Sequence, residues 1–408
     1  MEPIIFHIDV NSAYLSWTAL EKLSQGDTVD LRLIPSIIGG DIERRHGVVL
    51  AKSLPAKTYG IVTGEPVVNA LKKCPHLTMA PPDHAMYIKR SKALMDFLSD
   101  ICPDIEQASI DECYMDFTSV AHLYSSPIEA AISIKDEIYR RFGFTVNIGI
   151  SDKKVLAKMA SDFKKPNLVH TLYAREIAAK LWPLPISSLF MCGRSSTETL
   201  RKLEILTIGE LAKTDPRILA SHLKSHGILL WNYANGIDDS MVISEPVKRK
   251  GVGNSTTLSH DVTERAEAAK TLLSLSESVG KSLRAHKESA GLVCVEIKYN
   301  TFQTVSHQTT LQTPTSSTEI IYQTALSLFD AIWSHCPIRL LGVRASHLTE
   351  ADEPVQLSLF DRTSNPAQEE KQKKLDAALD SIRTRYGSSS IVRGSLLPTA
   401  ESEEKKTL

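Results

Sequence analysis

Apolar and polar positions recur along the chain with periods that predict most of its elements. Residues 4–9, IIFHID, are a short β-rich apolar run ending in a carboxylate, and they predict a strand. Next, Leu15, Ala19 and Leu23 recur at i, i+4 and i+8, which predicts a helix capped by Asn11 or Ser12. GVVLA at 47–51 reads as a short buried strand, and TGEPVVNALKKCP as a helix with Pro66 near its first turn and a stop at Pro75. A long amphipathic helix follows over 86–102. IEQASIDECYMDFT predicts two short strands about a tight turn that carries Asp111 and Glu112. IEAAISIKDEIYRRFG is a helix ending at Gly143, FTVNIGIS a strand, and KKVLAKMASDFKKP a helix ended by Pro166. This order predicts a ferredoxin-like or palm-type sheet with the first strand beside the acidic hairpin.

The texture changes near residue 168. Short helices run to about 235, including SSTETLRKLEILTIGELAKTDP, which reads as helix, tight turn at Gly209, helix. Residues 236–250 read as a linker. Over 251–348 the pattern alternates: a strand near GNSTTL, a helix AEAAKTLLSLSESVGKSLRAH, strands LVCVEIKYN and VSHQTTL, a helix EIIYQTALSLFDAIW, and a strand LLGVRASHL. That is a second β-α-β-β-α-β unit. The remainder is polar, with a clear helix only at about 366–386.

The length of 408 residues predicts two to four domains at roughly 150 residues each. Hydrophobic residues make up 42% and charged residues 23%, the composition of an ordinary globular protein. The six cysteines are scattered with no C-x-x-C, so neither a zinc site nor a disulfide framework is indicated, which fits a reducing cytosol. MEPIIFHID has too short an apolar run for a signal peptide, and no stretch reaches the ~18 apolar residues of a membrane span. A cytoplasmic protein with no membrane association is expected. Net charge is −1, so the total does not advertise nucleic-acid binding. Locally, residues 145–175 hold six basic and two acidic residues, which taken alone read as a solvated helix face.

Three carboxylates, Asp9, Asp111 and Glu112, each end or turn a short apolar strand. Such positions are odd for a core and suit a metal. Magnesium takes oxygen ligands, usually one or two carboxylates plus substrate phosphates. Two such ions can activate an attacking hydroxyl and stabilise a leaving phosphate. An acidic pair in a hairpin turn is more often a surface feature, so the residues alone leave both readings open.

HIDVNSAY and SIDECYMDF, in that order and about 100 residues apart, resemble the D-x-x-x-x-[FY] and S-x-D-E hallmarks of the Y-family DNA polymerases. KKPN at 164–167, TIGEL at 207–211 and GNSTTL at 253–258 extend the resemblance over roughly residues 1–350, nearest to the DinB (polymerase IV) branch and its UmuC relatives. The resemblance implies a mixed α+β, multidomain right-hand fold. The palm would be 1–18 and 77–167, the fingers 19–76, a helical thumb 168–235, a linker 236–250, a little finger 251–348 and a tail 349–408. It implies template-directed DNA synthesis on damaged templates, at low fidelity and without proofreading, by a monomer acting on primer–template DNA and deoxynucleoside triphosphates. Two Mg²⁺ ions, or Mn²⁺, would be held by Asp9, Asp111, Glu112 and the Val10 carbonyl, with Glu112 nearest the attacking 3′ oxygen. Tyr14 would be the steric gate against a 2′-hydroxyl, and Lys165 a triphosphate ligand.

The chain departs from the family pattern in two places. The fingers usually carry Y-x-x-R, whereas here Leu54 stands for the tyrosine and Lys57 for the arginine. Lysine neutralises phosphate as a point charge without a bidentate fork, and leucine donates nothing. In the thumb, Met191-Cys192-Gly193 and Leu203-Glu204-Ile205 replace the usual G-x-G and L-G-I. That weakens phosphate binding through glycine amides. Gly39-Gly40-Asp41 is similar to the GGDEF signature of cyclic-dinucleotide cyclases but falls in what reads as a fingers loop. In the tail, Gln356-Leu357-Ser358-Leu359-Phe360 resembles a sliding-clamp docking peptide, with Gln356 as anchor and Leu357, Leu359 and Phe360 supplying apolar contact. The rival readings are a catalytically weak scaffold of the same family recruited by the clamp, and a nucleotidyl cyclase on a related palm.

Overall fold

The computed structural model describes residues 2–40, 47–245, 248–351, 366–387 and 390–394. The docking peptide at 356–360 and Asp41 lie outside the described residues. The chain divides into two compact units, one of Met1–Ile42 with Gly47–Pro246 and the other centred on Val247–Leu408.

In chain order the first unit begins with β1 (Ile5–Val10), α1 (Ala13–Ser24), β2 (Ser36–Gly39), β3 (Val49–Lys52), α2 (Leu54–Thr58), α3 (Val67–Lys73) and β4 (Thr78–Ala80). Then come α4 (His84–Ile101), β5 (Ile105–Gln107), β6 (Glu112–Asp116), α5 (Pro127–Phe142), β7 (Val146–Ser151), α6 (Lys154–Ser161) and β8 (Val169–Thr171). A five-stranded sheet has the order β5-β6-β1-β7-β8, so the expected first strand lies directly against the acidic hairpin. Alternation along β1 explains why both of its faces are covered. Phe6, Ile8 and Val10 join one large core with Leu94, Leu98, Ala131 and Ile134. Ile5 packs instead with Tyr114 and Ala157, on the α6 side. Gly149 lets α6 sit on β7: a Cβ there would come within 2.0 Å of the Ala157 carbonyl oxygen.

A separate three-stranded sheet, β3-β2-β4, has its own small cores around Ile37, Val67 and Ala70 and around Leu15, Ile38 and Ala51. Residues 177–234 add α7 (Ile177–Lys180), α8 (Arg194–Lys202), α9 (Ile208–Lys213) and α10 (Pro216–Ala234) around a helical core.

Three local expectations change. Ser12 precedes α1 but sits at φ 48°, and its side chain caps nothing. Helix α6 stops at Ser161, with Asp162 as its C-cap, rather than running to Pro166. Gly209 lies inside α9, where a Cβ would come 2.9 Å from Trp182 Cβ; it permits close packing and does not make the turn. The turn instead contains Glu204 at φ 60°, and Met191 sits at φ 66°. Both residues replace glycines of the family pattern and keep a backbone conformation that glycine adopts without cost.

The second unit comprises β9 (Gly251–Val262), α11 (Arg265–Ala285), β10 (Glu288–Tyr299), β11 (Thr304–Thr315), α12 (Thr318–Ile332) and β12 (Ile338–Glu350). They form the expected β-α-β-β-α-β order, with an antiparallel sheet β11-β10-β12-β9. Leu272, Val279, Ile321 and Phe329 of the helices pack on Val293, Val295, Leu341 and Val343. The predicted tail helix is α13 (Pro366–Tyr386). Asp376 on α13 is 2% exposed and accepts a hydrogen bond from the Thr318 backbone N at 3.2 Å, so one helix caps another. Arg284 donates from Nε to Asp380 at 2.6 Å and from Nη1 to the Ser316 carbonyl at 2.8 Å. Arg383 and Arg393 both reach Glu277, at 3.2 and 2.9 Å. No helix among the described residues is long and apolar enough to cross a membrane.

Candidate active site

The antiparallel register between β1 and β6 pairs Asp9 with Glu112, and Val10 N donates to the Asp111 carbonyl at 3.0 Å. Directly opposed residues project from the same face of a sheet. Asp9 and Glu112, followed two residues along each strand by His7 and Tyr114, therefore share the face that α6 covers. The three carboxylates expected from sequence come together at one strand end.

Each has a different environment. Asp9 Oδ2 accepts from Lys165 Nζ at 2.5 Å, and the same ammonium reaches Asp162 at 2.9 Å. Burial opposes the charge on Lys165, but Asp9 and Asp162 outweigh it and its pKa is raised. Glu112 Oε2 accepts from Lys158 Nζ at 2.7 Å and stands 3.3 Å from His7 Nε2. His7 and Lys158 together hold the Glu112 carboxyl down at about 2, against the cost of its burial. Among the described residues no cation pairs with Asp111. Ser109 Oγ donates to it at 2.7 Å, yet burial, with Asp9 and Glu112 nearby, raises its pKa. His7 is fully buried, and burial lowers its pKa. Its Nδ1 is 2.8 Å from Ser161 Oγ, which also reaches the Lys158 carbonyl. Nε2 is the ring atom that faces Glu112 Oε2.

The basic stretch on and after α6 is thus not a solvated face. Lys154 pairs with Glu106 at 2.6 Å, Lys158 with Glu112 and Lys165 with Asp9.

A cavity of about 550 Å³ opens at the strand end. Asp9, Val10, Asp111 and Lys165 line one side, and Tyr14, Lys52, Leu54 and Lys57 line others. Glu112 does not line it; its carboxylate is turned toward Lys158 and His7. Tyr14 stacks on the buried Tyr87 ring at 4.4 Å with 9° between planes, and Tyr87 is itself hydrogen-bonded to Thr18 Oγ1 at 2.8 Å. The candidate gate therefore rests on a rigid backing. Leu54 and Lys57 are on α2, whose start is fixed by Ser53 accepting from Ala56 N at 3.0 Å.

Sequence reading missed two residues that place Lys165. Asn147 Nδ2 donates to the carbonyls of Ser161 and Lys164, at 3.1 and 2.7 Å. Asn11 Oδ1 accepts from Asn167 N at 2.8 Å, and Asn11 Nδ2 donates to Asn147 Oδ1 at 3.2 Å. These two buried amides strap the 162–167 loop to β1 and β7. The available signal was an asparagine directly after one apolar strand segment and inside another, HIDVN and TVNIG, where a polar group needs a partner.

The impB/mucB/samB family model matches residues 8–162, and the C-terminal domain model of the same family matches 249–359. The chain is 47% identical to DNA polymerase IV of Clostridium acetobutylicum over 99% of this chain and 100% of that one. It is 35% identical to DNA polymerase IV of Clostridium kluyveri over 97% and 99%, respectively. It is 34% identical to DNA polymerase IV 1 of Bacillus subtilis over 99% and 95%. Among solved structures, a Y-family DNA polymerase chimera superimposes with a TM-score of 0.73 at 21% identity, over 85% of this chain and 99% of that one, a likeness of fold. The chain belongs to the impB/mucB/samB family and is a DinB-like Y-family polymerase, a DNA-directed DNA polymerase of the translesion class.

Proposed function

We propose that the cavity at the end of β1 is the metal and nucleotide site of this polymerase, where a deoxynucleotide joins a primer 3′ end and pyrophosphate leaves. The observation that carries the reading is the β1–β6 register, which sets Asp9 against Glu112 and ties Val10 to Asp111 at the mouth of a cavity walled by Tyr14, Lys57 and Lys165.

Family membership brings dependence on divalent metal, and the donors here fit a hard cation. They are all oxygens, Asp111 is buried beside two like charges with no cation paired to it among the described residues, and lysines already neutralise the other two carboxylates. No cluster of three or more ligating side chains forms a ready-made cage among the described residues. Asp9, Asp111, Glu112 and the Val10 carbonyl are the proposed ligands of two Mg²⁺ ions, with Mn²⁺ able to substitute. When bound, the ions assist the attacking hydroxyl and offset charge on the triphosphate.

The side chains of the chain do the rest. Lys165 and Lys57 bind the triphosphate from opposite walls. Tyr14, backed by Tyr87, leaves no space for a 2′-hydroxyl. Glu112, kept ionised by His7 and Lys158, faces the primer terminus once Lys158 is displaced. Lys and Arg side chains hold the DNA backbone, with affinity falling steeply as salt rises. Residues 1–18 with 77–167 act as palm, 19–76 as fingers, 168–235 as thumb, 236–250 as linker and 251–348 as little finger. Gln356, Leu357, Leu359 and Phe360 dock the enzyme on a sliding clamp. The enzyme works as a cytoplasmic monomer without proofreading.

Primer extension on undamaged and abasic templates with Mg²⁺ tests this reading. The Asp111→Ala/Glu112→Ala double variant is expected to lose activity by about a thousandfold or more. Retained extension in that variant, or a wild type that binds primer–template without extending it, would sink it and favour the scaffold reading. Deleting 356–360 is expected to remove stimulation by the clamp and leave clamp-free extension unchanged.

A further inference from the structure

Four basic side chains line the cavity: Arg32, Lys52, Lys57 and Lys165. Two are already engaged. Arg32 donates from Nε and Nη2 to Asp30, at 3.0 and 2.8 Å, and from Nη1 to the Gly143 carbonyl at 2.7 Å, so its guanidinium is structural. Lys165 holds Asp9 and Asp162. Lys52 and Lys57 make no ion pair among the described residues.

Lys52 is the last residue of β3 and is half-buried, whereas Lys57 is exposed on α2. The nearest polar partner of Lys52 is Thr63 Oγ1 at 3.4 Å, a long contact for an ammonium. Burial, and next the neighbouring Lys57 charge, push the Lys52 pKa down. A cation held partly out of water, without a full partner and beside a like charge, costs stability. The cost disappears when a polyanion lies between the two ammonium groups. Leu54, in the same wall, offers no donor to such a group.

We propose that Lys52 is a triphosphate-binding residue of this enzyme, completing with Lys57 and Lys165 an all-lysine cradle for the nucleotide's phosphates. The proposal rests on the cavity being the nucleotide site. Lys52 grips the phosphates from the β3 side and Lys57 from the α2 side, opposite Lys165. Lysine heads turn freely about their stems, so the cradle neutralises charge without dictating a bidentate geometry.

The test is single-nucleotide incorporation by the full-length protein over a range of deoxynucleoside triphosphate concentrations. The variants are Lys52→Met, Lys52→Arg, Lys57→Met and Lys165→Met, with primer–template affinity and Tm measured alongside. Lys52→Met is expected to raise the nucleotide KM about tenfold for all four bases. It should leave primer–template affinity unchanged and should not lower Tm, and Lys52→Arg should recover most of the loss. The nucleoside diphosphate, used as a competitive inhibitor, should lose less affinity than the triphosphate. A KM unchanged in Lys52→Met but raised in Lys57→Met and Lys165→Met overturns the assignment of Lys52 and leaves the site standing. A KM unchanged in all three Met variants overturns the site itself.

Discussion

Two clusters of paired charges, one in each unit, are built from different cations. In the second unit the cluster around α13 is built on arginines: Arg284, Arg383 and Arg393 meet Glu277, Asp376 and Asp380, and backbone groups of Ser316 and Thr318 join them. At the end of β1 the cluster is built on lysines, Lys158 and Lys165, against Asp9, Glu112 and Asp162, and no cation pairs with Asp111 among the described residues. Arginine's planar fork satisfies several acceptors at once and suits a contact that stays made. Lysine's single ammonium swings away on a flexible stem. The arginine cluster closes a surface, whereas the lysine cluster opens on a cavity of about 550 Å³. Cation identity thus separates a joint from the proposed nucleotide site, although both are partly buried networks.

Breaking the joint should have the largest effect. Asp376→Ala removes a carboxylate that is 2% exposed, caps the Thr318 backbone N and is shared by Arg284 and Arg393. A loss of about 2–4 kcal/mol is expected from denaturant unfolding followed by a probe in the second unit, with nucleotide incorporation per folded molecule unchanged. In the proposed nucleotide site, Lys165→Met should lower kcat/KM for nucleotide by about a hundredfold in steady-state kinetics.

The carboxylates sharpen the contrast through pH. Glu112 is held at about 2 in the folded chain, below its ordinary value of 4.5. Its contribution is therefore complete above pH 4.5 and is lost as pH falls toward 2. Asp111 is raised, so its charge opposes folding at neutral pH. Asp111→Asn should raise Tm at pH 7 while abolishing extension, and Glu112→Gln should flatten the acid limb of stability. Scanning calorimetry across pH reads both. The smallest effect belongs to the helical turns: Met191→Gly and Glu204→Gly should each gain about 0.5–1 kcal/mol, measured by thermal unfolding, by removing a side chain from a left-handed backbone.

Strand and helix periods carried the elements of both units, because each has a face buried on one core. The three carboxylates were legible because a charge at the end of an apolar strand conflicts with its surroundings. Lys154 and Lys158 read as a solvated face because their partners, Glu106 and Glu112, lie far back in the chain. Nothing in helical spacing reports a contact across 48 or 46 residues. Asn11 and Asn147 were opaque for the same reason, since an asparagine's local signature is a cap or turn while its work here is long-range. Gly209 misled because glycine marks both turns and close approaches, and only the position of Trp182 decides between them.

Helix α13 changes what the C-terminal region is in polymer terms. Strand β12 ends at Glu350 and α13 begins at Pro366, and each belongs to the fold of the second unit. The chain is therefore anchored in the second unit both before residue 352 and after residue 365. A single cut made between Ala351 and Pro366 should leave the C-terminal fragment attached, held by Arg284, Arg383 and the capped end of α12. The two pieces would travel together through gel filtration and part only in denaturant.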